Sequence, residues 1–358
     1  MPSPASIDSA VRAAGPFGVL ELGGGLQMTR KCLAAVFVLA VAVTLMPRSV
    51  HAQSSDGTMP ILTPDGQPDV SGIFTFRTLT PLQRPRQFDG VETLDPETAA
   101  QFEASERTRQ NRDLFDPELG ANQYQPRSEG GVLSYNEFWY ERGVELTSDK
   151  RTSLIVDPPD GRLPPRTEEA TMRSREENAY RSEHMYDSYE NRSAGDRCLI
   201  GFNAGPPVRS GSYNNNMMIF QSPGYVTILN EMVHNARVIP IGDTAKPPFS
   251  QFSGVSRGHW EGETLVIETS QFRGGMRGLT SASVQLVERL TRLDPDTVAY
   301  EYTLTDPEQY SAPYTVMMPL RRTDGPLFEY ACHEGNIGLH GILAGARNLE
   351  MAGRELRP

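Results

Sequence analysis

The sequence is short of positive charge. Its 358 residues include 34 Lys and Arg against 45 Asp and Glu, which gives a formal net charge of −11. Recruitment of nucleic acid needs a basic surface, so the sequence disfavours a nucleic-acid partner. It also lacks internal repeats and low-complexity linkers, which favours one elaborated domain. With 38% hydrophobic and 22% charged residues, the chain is predicted to be globular, and collagen-like, coiled-coil and disordered proteins are excluded.

Motifs of several familiar enzyme classes are absent as well. The chain has no H-E-x-x-H pair, no Walker loop and no dinucleotide fingerprint following a strand. We therefore predict neither zinc-protease nor nucleotide chemistry, and we expect no cofactor and no bound metal.

One long apolar run lies near the amino terminus. Residues 33–46 are apolar, two basic residues precede them, and the A-x-A-like stretch VHAQ follows. This order is typical of a cleaved signal peptide, and the run is too short for a comfortable membrane span. We predict an upstream extension from a mis-chosen start at 1–27, a signal peptide at 28–52 and a mature domain at 53–358. The mature protein, cleaved after about Ala52, is then periplasmic or secreted and has no membrane span.

Cysteine is scarce. The sequence has three, and only Cys198 and Cys332 follow the predicted cleavage point. In an oxidising compartment, two cysteines in one chain are most simply a single disulfide bond. The alternative is a catalytic thiolate, which needs a reduced cysteine where oxidation is favoured. We prefer the disulfide.

Short strand patterns dominate the second half of the chain. They are bounded by turn residues, without helix-length segments between them, at 225–233, 237–241, 264–270, 284–293, 298–305 and 314–320. An antiparallel meander of this kind must close or stack to hide its edge strands. The predicted fold is mainly β, a meander that closes into a calycin- or lipocalin-like barrel with helical decorations. A sandwich is the alternative.

Two segments are predicted to supply the helical decorations. Asp95 followed by Pro96 is an N-cap with proline at the first helical position, and this predicts a helix over 95–111. Residues 167–190 are charged and lack an apolar stripe, which indicates an exposed helix or a mobile excursion.

The segment 330–336, YACHEGN, combines a phenol, a thiol, an imidazole, a carboxylate and an amide. A disulfide at Cys332 would hold His333 and Glu334 in fixed geometry, as a general acid or base requires. A structural disulfide corner would have the same composition, and both interpretations stay open. His333 and Glu334 are candidate catalytic residues, and Tyr330 is a candidate ligand contact.

His234 lies at the end of a predicted strand, three residues after Glu231. A Glu-x-x-His pair can ligate a metal when both side chains share a face, but on a strand these two positions point to opposite faces. We favour a hairpin histidine, with Arg237 paired to an acid, over a metal site. His234 and Arg237 are still candidates for acid–base chemistry and substrate orientation.

A polar cluster, Tyr213, Asn214 and Asn215, precedes an apolar stretch. Such side chains could bind a ligand in a barrel mouth, but asparagine also occupies turns and left-handed positions at little cost. The turn interpretation is preferred, and the three residues are kept as candidate ligand contacts. Trp260 is assigned to the core or to barrel closure rather than to ligand stacking.

Five phrases of the sequence together resemble a widespread family of exported bacterial proteins without an assigned activity. They are PDVSGI at 68–73, SLIVDPPDGR at 153–162, YNNN at 213–216, WEGETLV at 260–266 and YACHEGN at 330–336. The resemblance extends over residues 60–347. It implies export and a mainly β fold, and it transfers no catalytic role to any position.

The sequence leaves three functions open. The first is an exported β-barrel enzyme that acts on a small, partly apolar or aromatic molecule by His/Glu acid–base chemistry, as a lyase, isomerase or hydrolase. The second is a non-catalytic protein that binds a hydrophobic ligand in the same cavity. The third is a structural protein whose barrel is filled by side chains. Convergence of two or more candidate catalytic side chains in one cavity would favour the enzyme.

Overall fold

The computed structural model describes residues 61–111, 137–274 and 280–353. The predicted upstream extension and signal peptide, 1–27 and 28–52, lie outside the described residues. Among the described helices, none combines the length and the apolar character needed to cross a membrane.

Ten β-strands and three α-helices form the regular structure of the described residues. The strands are β1 Gly72–Thr75, β2 Ile155–Asp157, β3 Asn216–Ser222, β4 Tyr225–Asn230, β5 Ala236–Pro240, β6 Val255–Glu261, β7 Thr264–Ser270, β8 Gln285–Asp294, β9 Thr297–Thr305 and β10 Tyr314–Arg322. The helices are α1 Pro96–Gln110, α2 Glu168–His184 and α3 Ile337–Met351. Helices α1 and α2 fall within the two predicted helical segments, and the Asp95 carboxylate accepts hydrogen bonds from the amides of Glu97 and Thr98, as an N-cap does.

The strands belong to one sheet whose hydrogen-bonded neighbours are antiparallel. The order is β5-β4-β3-β1-β10-β9-β8-β7-β6, and β2 pairs with β10 outside this path. The two outermost strands, β5 and β6, approach each other through a parallel bridge between Ile241 and Gly258. The sheet is therefore a nearly closed barrel. The predicted mainly β fold and barrel are confirmed, and the finer likeness to calycins and lipocalins stays a prediction.

The barrel interior follows from the period-two alternation of the strands. On β9, Val298, Tyr300, Tyr302 and Leu304 are buried, and the residues between them are more exposed. The neighbouring strands contribute their own alternate residues to one continuous apolar core. Removing this area from water is the main favourable term of folding, about 1.5–3 kcal/mol for each large apolar side chain.

One predicted strand boundary is wrong. The pattern predicts a strand over 225–233, whereas β4 ends at Asn230. Val233 and His234 have left-handed backbones, with φ of 53° and 35°, which a strand cannot continue through. The chain turns sharply here and re-enters the sheet as β5.

Antiparallel order gives the barrel two dissimilar ends. The hairpin end is defined by the tight turns 223–224, 262–263 and 295–296. The loop end is defined by the connections 158–215, 231–235 and 306–313. The chain after β10 starts at the hairpin end, and its Phe328 amide reaches the loop end by donating to the Glu231 carboxylate. Because the long connections lie at the loop end, we expect a functional site there rather than at the hairpin end.

The hairpin end is closed by core residues and by arginine side chains. Trp260 packs against the apolar core, as predicted. The Arg292 guanidinium donates to the carbonyls of Asp69 and Ser71, which precede β1. These bonds tie the lead-in segment across the end of β8 and satisfy backbone carbonyls that a strand terminus leaves unpaired.

Candidate functional site

Cys198 and Cys332 form a disulfide bond, as predicted. The bond joins the connection 158–215 to the segment that follows β10, across 134 positions of sequence. It therefore fixes the predicted site segment 330–336 to the loop end of the barrel.

Two predicted ligand contacts, Tyr213 and Tyr330, lie together beside this disulfide. Their rings are stacked, with centroids 6.3 Å apart and an interplanar angle of 20°. The ring of Phe202 meets Tyr213 edge-on at 5.2 Å. An aromatic surface of this kind suits a flat apolar ligand or partner group.

His234 and Glu334 also come together, although a hundred residues separate them. Their ligand atoms and a carboxylate oxygen of Glu329 all lie within 4.8 Å of one another, and the His234 Nε2–Glu329 Oε1 distance is 3.9 Å. We call His234, Glu329 and Glu334 the mouth triad. His333 is exposed and its imidazole is not part of the triad. The structure thus brings together two of the four candidate catalytic residues.

Glu231, the other member of the Glu-x-x-His pair, is not part of the mouth triad. Its carboxylate is 2% exposed and accepts hydrogen bonds from Asn216 Nδ2 at 2.8 Å and from the Phe328 amide at 3.0 Å. Burial, with a contribution from nearby Glu141, raises the pKa of Glu231. The strand-parity argument against a shared Glu231–His234 site therefore agrees with the geometry, although the turn rather than a strand separates them.

Arg237 lies apart from the other candidates, on the inner face of β5. Its guanidinium pairs with the buried carboxylate of Glu288, with one Nη2–Oε1 distance of 2.9 Å. Tyr300 Oη donates to the same carboxylate at 2.7 Å, and burial raises the pKa of Tyr300. Ser256 and Thr269 complete the network on β6 and β7. These bonds cross the β5–β6 seam, so the observed role of Arg237 is to join the two edges of the sheet.

The seam also contains a match to the serine-hydrolase pattern G-x-S-x-G, Gly254–Gly258. A nucleophile of that class stands on a sharp strand-to-helix turn next to a histidine base. Ser256 instead lies within β6, and its hydroxyl bonds to Thr269 and to Arg237. The match carries no hydrolase chemistry.

The asparagine cluster makes turn-type contacts. Asn214 has a left-handed backbone, φ 51°, and its carbonyl accepts from Asn203 Nδ2. Asn215 is fully buried, accepts from the Gly211 amide and donates to the Glu141 carbonyl. These bonds support the preferred turn interpretation, and a ligand contact by either residue stays a prediction.

A cavity of about 590 Å³ lies beside α2, and one of about 770 Å³ lies along β5 and β6. A third cavity lies at the loop end and is lined by inward residues of the barrel. We call it the loop-end cavity. Its volume is about 520 Å³, and its apolar surface comes from Leu154, Val208, Tyr302, Val316 and Met318. Tyr302, Val316 and Met318 are inward residues of β9 and β10. Its polar lining includes the carboxylate of Glu106 and the amide of Gln110 beside several arginine and hydroxyl side chains, which are Thr78, Thr80, Arg109, Arg142, Arg209, Ser210 and Ser212.

The three arginines of this cavity differ in their partners. Arg109 pairs with Glu106, and Arg142 pairs with Glu137 at 3.0 Å. Arg209 donates to the Phe202 carbonyl at 3.1 Å, and no carboxylate of the described residues forms an ion pair with it. Among the described residues, Arg209 is therefore the arginine of this cavity that forms no ion pair.

The sequence indicates the location of several of these residues only weakly. Tyr302, Val316 and Met318 could be placed inside the barrel by strand alternation, but not at a cavity. Glu329 directly precedes the segment 330–336 and could have been included in it. Arg209 carries no signal, since nothing in the sequence shows which arginines lack an acidic partner.

No protein-family model matches the chain, and no curated protein matches it. The function is therefore inferred from the side chains at the loop end. Two groups of side chains there carry chemistry: the loop-end cavity with Arg209, and the mouth triad with the aromatic rings beside it.

Proposed function

We propose that the protein binds a small amphipathic anion in the loop-end cavity. The apolar body of the ligand lies against the inner residues of β9 and β10, and its anionic group pairs with Arg209. The observation that carries this proposal is the combination, in a single cavity, of inward-facing barrel residues with one arginine that forms no ion pair within the described part of the chain. It corresponds to the non-catalytic binding protein among the functions that the sequence leaves open.

The apolar part of the cavity supports an apolar or aromatic ligand body. Tyr302, Val316 and Met318 line the cavity, although each of them is almost fully buried. A cavity of about 520 Å³ is within the range of small-molecule sites. Each methylene group that a ligand buries there contributes roughly 0.8 kcal/mol.

The charge at the cavity supports an anion. A guanidinium binds a carboxylate through two parallel hydrogen bonds, and such bonds are about twice as strong as neutral ones. Arg109 and Arg142 already use their charges on glutamates, so the ligand is expected to pair with Arg209. The protein as a whole carries a net charge of −11 and repels anions, so a local cation is needed to hold one.

The place where binding occurs is part of the same proposal. The apolar run at 33–46 supports export, and the Cys198–Cys332 disulfide is compatible with an oxidising compartment. We infer binding in the periplasm or outside the cell.

A second candidate function is acid–base chemistry by His234 and Glu334. The proximity of these side chains favours it. They do not line the loop-end cavity, so a ligand held there would react only if it extended toward the triad. Conversion of a bound molecule that is lost in His234→Ala, with binding retained, would establish this function.

The binding proposal is tested with two probes of the same shape, 2-naphthoate and 2-naphthalenemethanol. Titration calorimetry on the purified chain is expected to show one site that prefers the anion. Arg209→Gln should weaken 2-naphthoate about 10- to 100-fold, the value of charge-assisted hydrogen bonds, and leave the alcohol almost unchanged.

Two further variants control for general damage to the fold. Arg142→Gln, whose charge is already paired, should change the affinity for 2-naphthoate far less than Arg209→Gln does. Val316→Phe fills the apolar part and should weaken both probes. Equal affinity for the two probes in every variant, with unchanged circular dichroism, would refute the proposal.

A further inference from the structure

The mouth triad combines the side chains that bind divalent transition metals. Imidazole nitrogen and carboxylate oxygen are both good ligands for Zn²⁺, which in open sites takes three protein ligands and leaves a position for water or another molecule. In the triad, one such atom from each of His234, Glu329 and Glu334 lies within 4.8 Å of the other two. A single ion placed between three atoms so spaced can contact all of them after small rotations of exposed side chains.

The charge of the triad is unbalanced. Two carboxylates lie close together, and among the described residues no lysine or arginine forms an ion pair with either. The exposed pair His259 and Glu261 at the hairpin end differs, because the Glu261 carboxylate also accepts from Arg289 at 2.8 Å. A cation at the triad would supply the positive charge that Arg289 supplies at the other site.

The three ligands stand on anchored segments. The residue before Glu329 is tied to buried Glu231 by its amide, at 3.0 Å, and Glu334 follows the disulfide-bonded Cys332 by two positions. His234 belongs to the short connection between β4 and β5. Anchoring reduces the entropy that a metal ion would otherwise have to overcome in collecting three ligands.

A second cavity is lined by residues that are neighbours of the triad in the chain. It measures about 350 Å³ and is lined mainly by apolar groups, including Met232, Val233 and Tyr330. Val233 directly precedes His234 in the chain, and Tyr330 directly follows Glu329. The cavity also borders Arg209, which it shares with the loop-end cavity.

We propose that His234, Glu329 and Glu334 bind one divalent transition-metal ion of the Zn²⁺ class. The site joins the β4–β5 connection to the segment fixed by the disulfide. It leaves at least one coordination position open, where a molecule with a donor atom can complete the coordination.

The test is equilibrium dialysis of the full chain, stripped with a chelator and with its disulfide intact, against Zn²⁺ alone. The wild-type protein should take up one equivalent that His234→Ala loses. Glu329→Gln and Glu334→Gln should each weaken uptake at least about 10-fold, the scale on which changes to a metal site act. Co²⁺ gives a second readout, since its visible absorption depends on the ligands around it.

Two histidines provide matched controls. His333→Ala removes the imidazole next to Glu334 in the chain, and His259→Ala removes an exposed histidine that is also paired with a glutamate. Both should retain the equivalent of Zn²⁺. Absence of uptake by the wild type, or uptake that survives His234→Ala, would overturn the proposal. Circular dichroism checks folding, and because all three ligands are exposed, their replacement should leave it unchanged.

Discussion

The two ends of the barrel make left-handed backbone with different residues. At the hairpin end, the turns place glycine there: Gly224 has φ 78° and Gly262 has φ 60°. At the loop end, Gly161 is left-handed as well, but so are the non-glycine residues Cys198, Asn214, Val233 and His234. Glycine adopts this conformation freely, whereas other residues lose about 1–2 kcal/mol each. The loop end therefore contains strain that the hairpin end avoids, and this strain lies beside the candidate site, as is common in functional regions.

The ends also differ in how they are held together. At the hairpin end, the β5–β6 seam is joined by the backbone bridge of Ile241 and Gly258. Toward the loop end, the same seam is joined by the side chains of Arg237 and Glu288. The long connections at the loop end are further tied by the disulfide. The β5–β6 seam is thus joined by side chains toward the loop end and by backbone atoms at the hairpin end.

Removing the disulfide is expected to change the relative stability of the two ends the most. The double variant Cys198→Ala, Cys332→Ala opens a loop of 134 positions, and in the chain-entropy model this lowers the free energy of unfolding by about 5 kcal/mol. Urea unfolding measures the loss. Hydrogen exchange should accelerate at 193–215 and 326–336 well before it does at the hairpin turns. A uniform acceleration over both ends would mean that the ends are not independently stabilised.

The next effect comes from the buried ion pair at the seam. Glu288→Leu leaves the Arg237 guanidinium buried without a carboxylate partner, and the expected loss of unfolding free energy is about 3–5 kcal/mol. Replacing both residues, Arg237→Met with Glu288→Leu, should recover most of this loss, since an apolar pair of similar volume needs no compensation. A remaining deficit is expected from the Tyr300 hydroxyl, which then lacks its acceptor. A double variant as unstable as the single one would show that the network has no apolar substitute.

Sequence reasoning succeeded where the determinants are local. The alternation of Val298, Tyr300, Tyr302 and Leu304 predicts an inward face, and Asp95 predicts a helix start. The disulfide followed from the number of cysteines and the predicted compartment. These features depend on spacing and composition alone, so they could be predicted without knowing the partners of any strand.

The candidate site could be predicted only in part, because its geometry depends on distant segments. The parity rule applied to Glu231 and His234 assumes a strand, but the left-handed residues after Met232 end β4 early. Glu329 reaches His234 only because the chain after β10 returns to the loop end. The uncompensated charge of Arg209 depends on which glutamates approach the other arginines. None of these facts is encoded in a window of neighbouring residues.

The smallest expected effect comes from exchanging residue types at left-handed positions of the two ends. This exchange tests directly whether the ends differ in backbone strain. A Cβ at Gly262 would meet nothing within 4 Å, so Gly262→Val should lower the free energy of unfolding by about 1–2 kcal/mol through backbone conformation alone. Val233 has a similar φ but a β-branched side chain, and Val233→Asn should raise stability by about 1 kcal/mol, because asparagine tolerates this conformation better. Urea unfolding of both variants, with Gly262→Ala as the intermediate case, measures the pair. A loss of stability in Val233→Asn would mean that the apolar contacts of Val233 outweigh its backbone strain. Side-chain packing would then account for the left-handed backbone at Val233. The two ends would differ only in the lengths of their connections and in the disulfide.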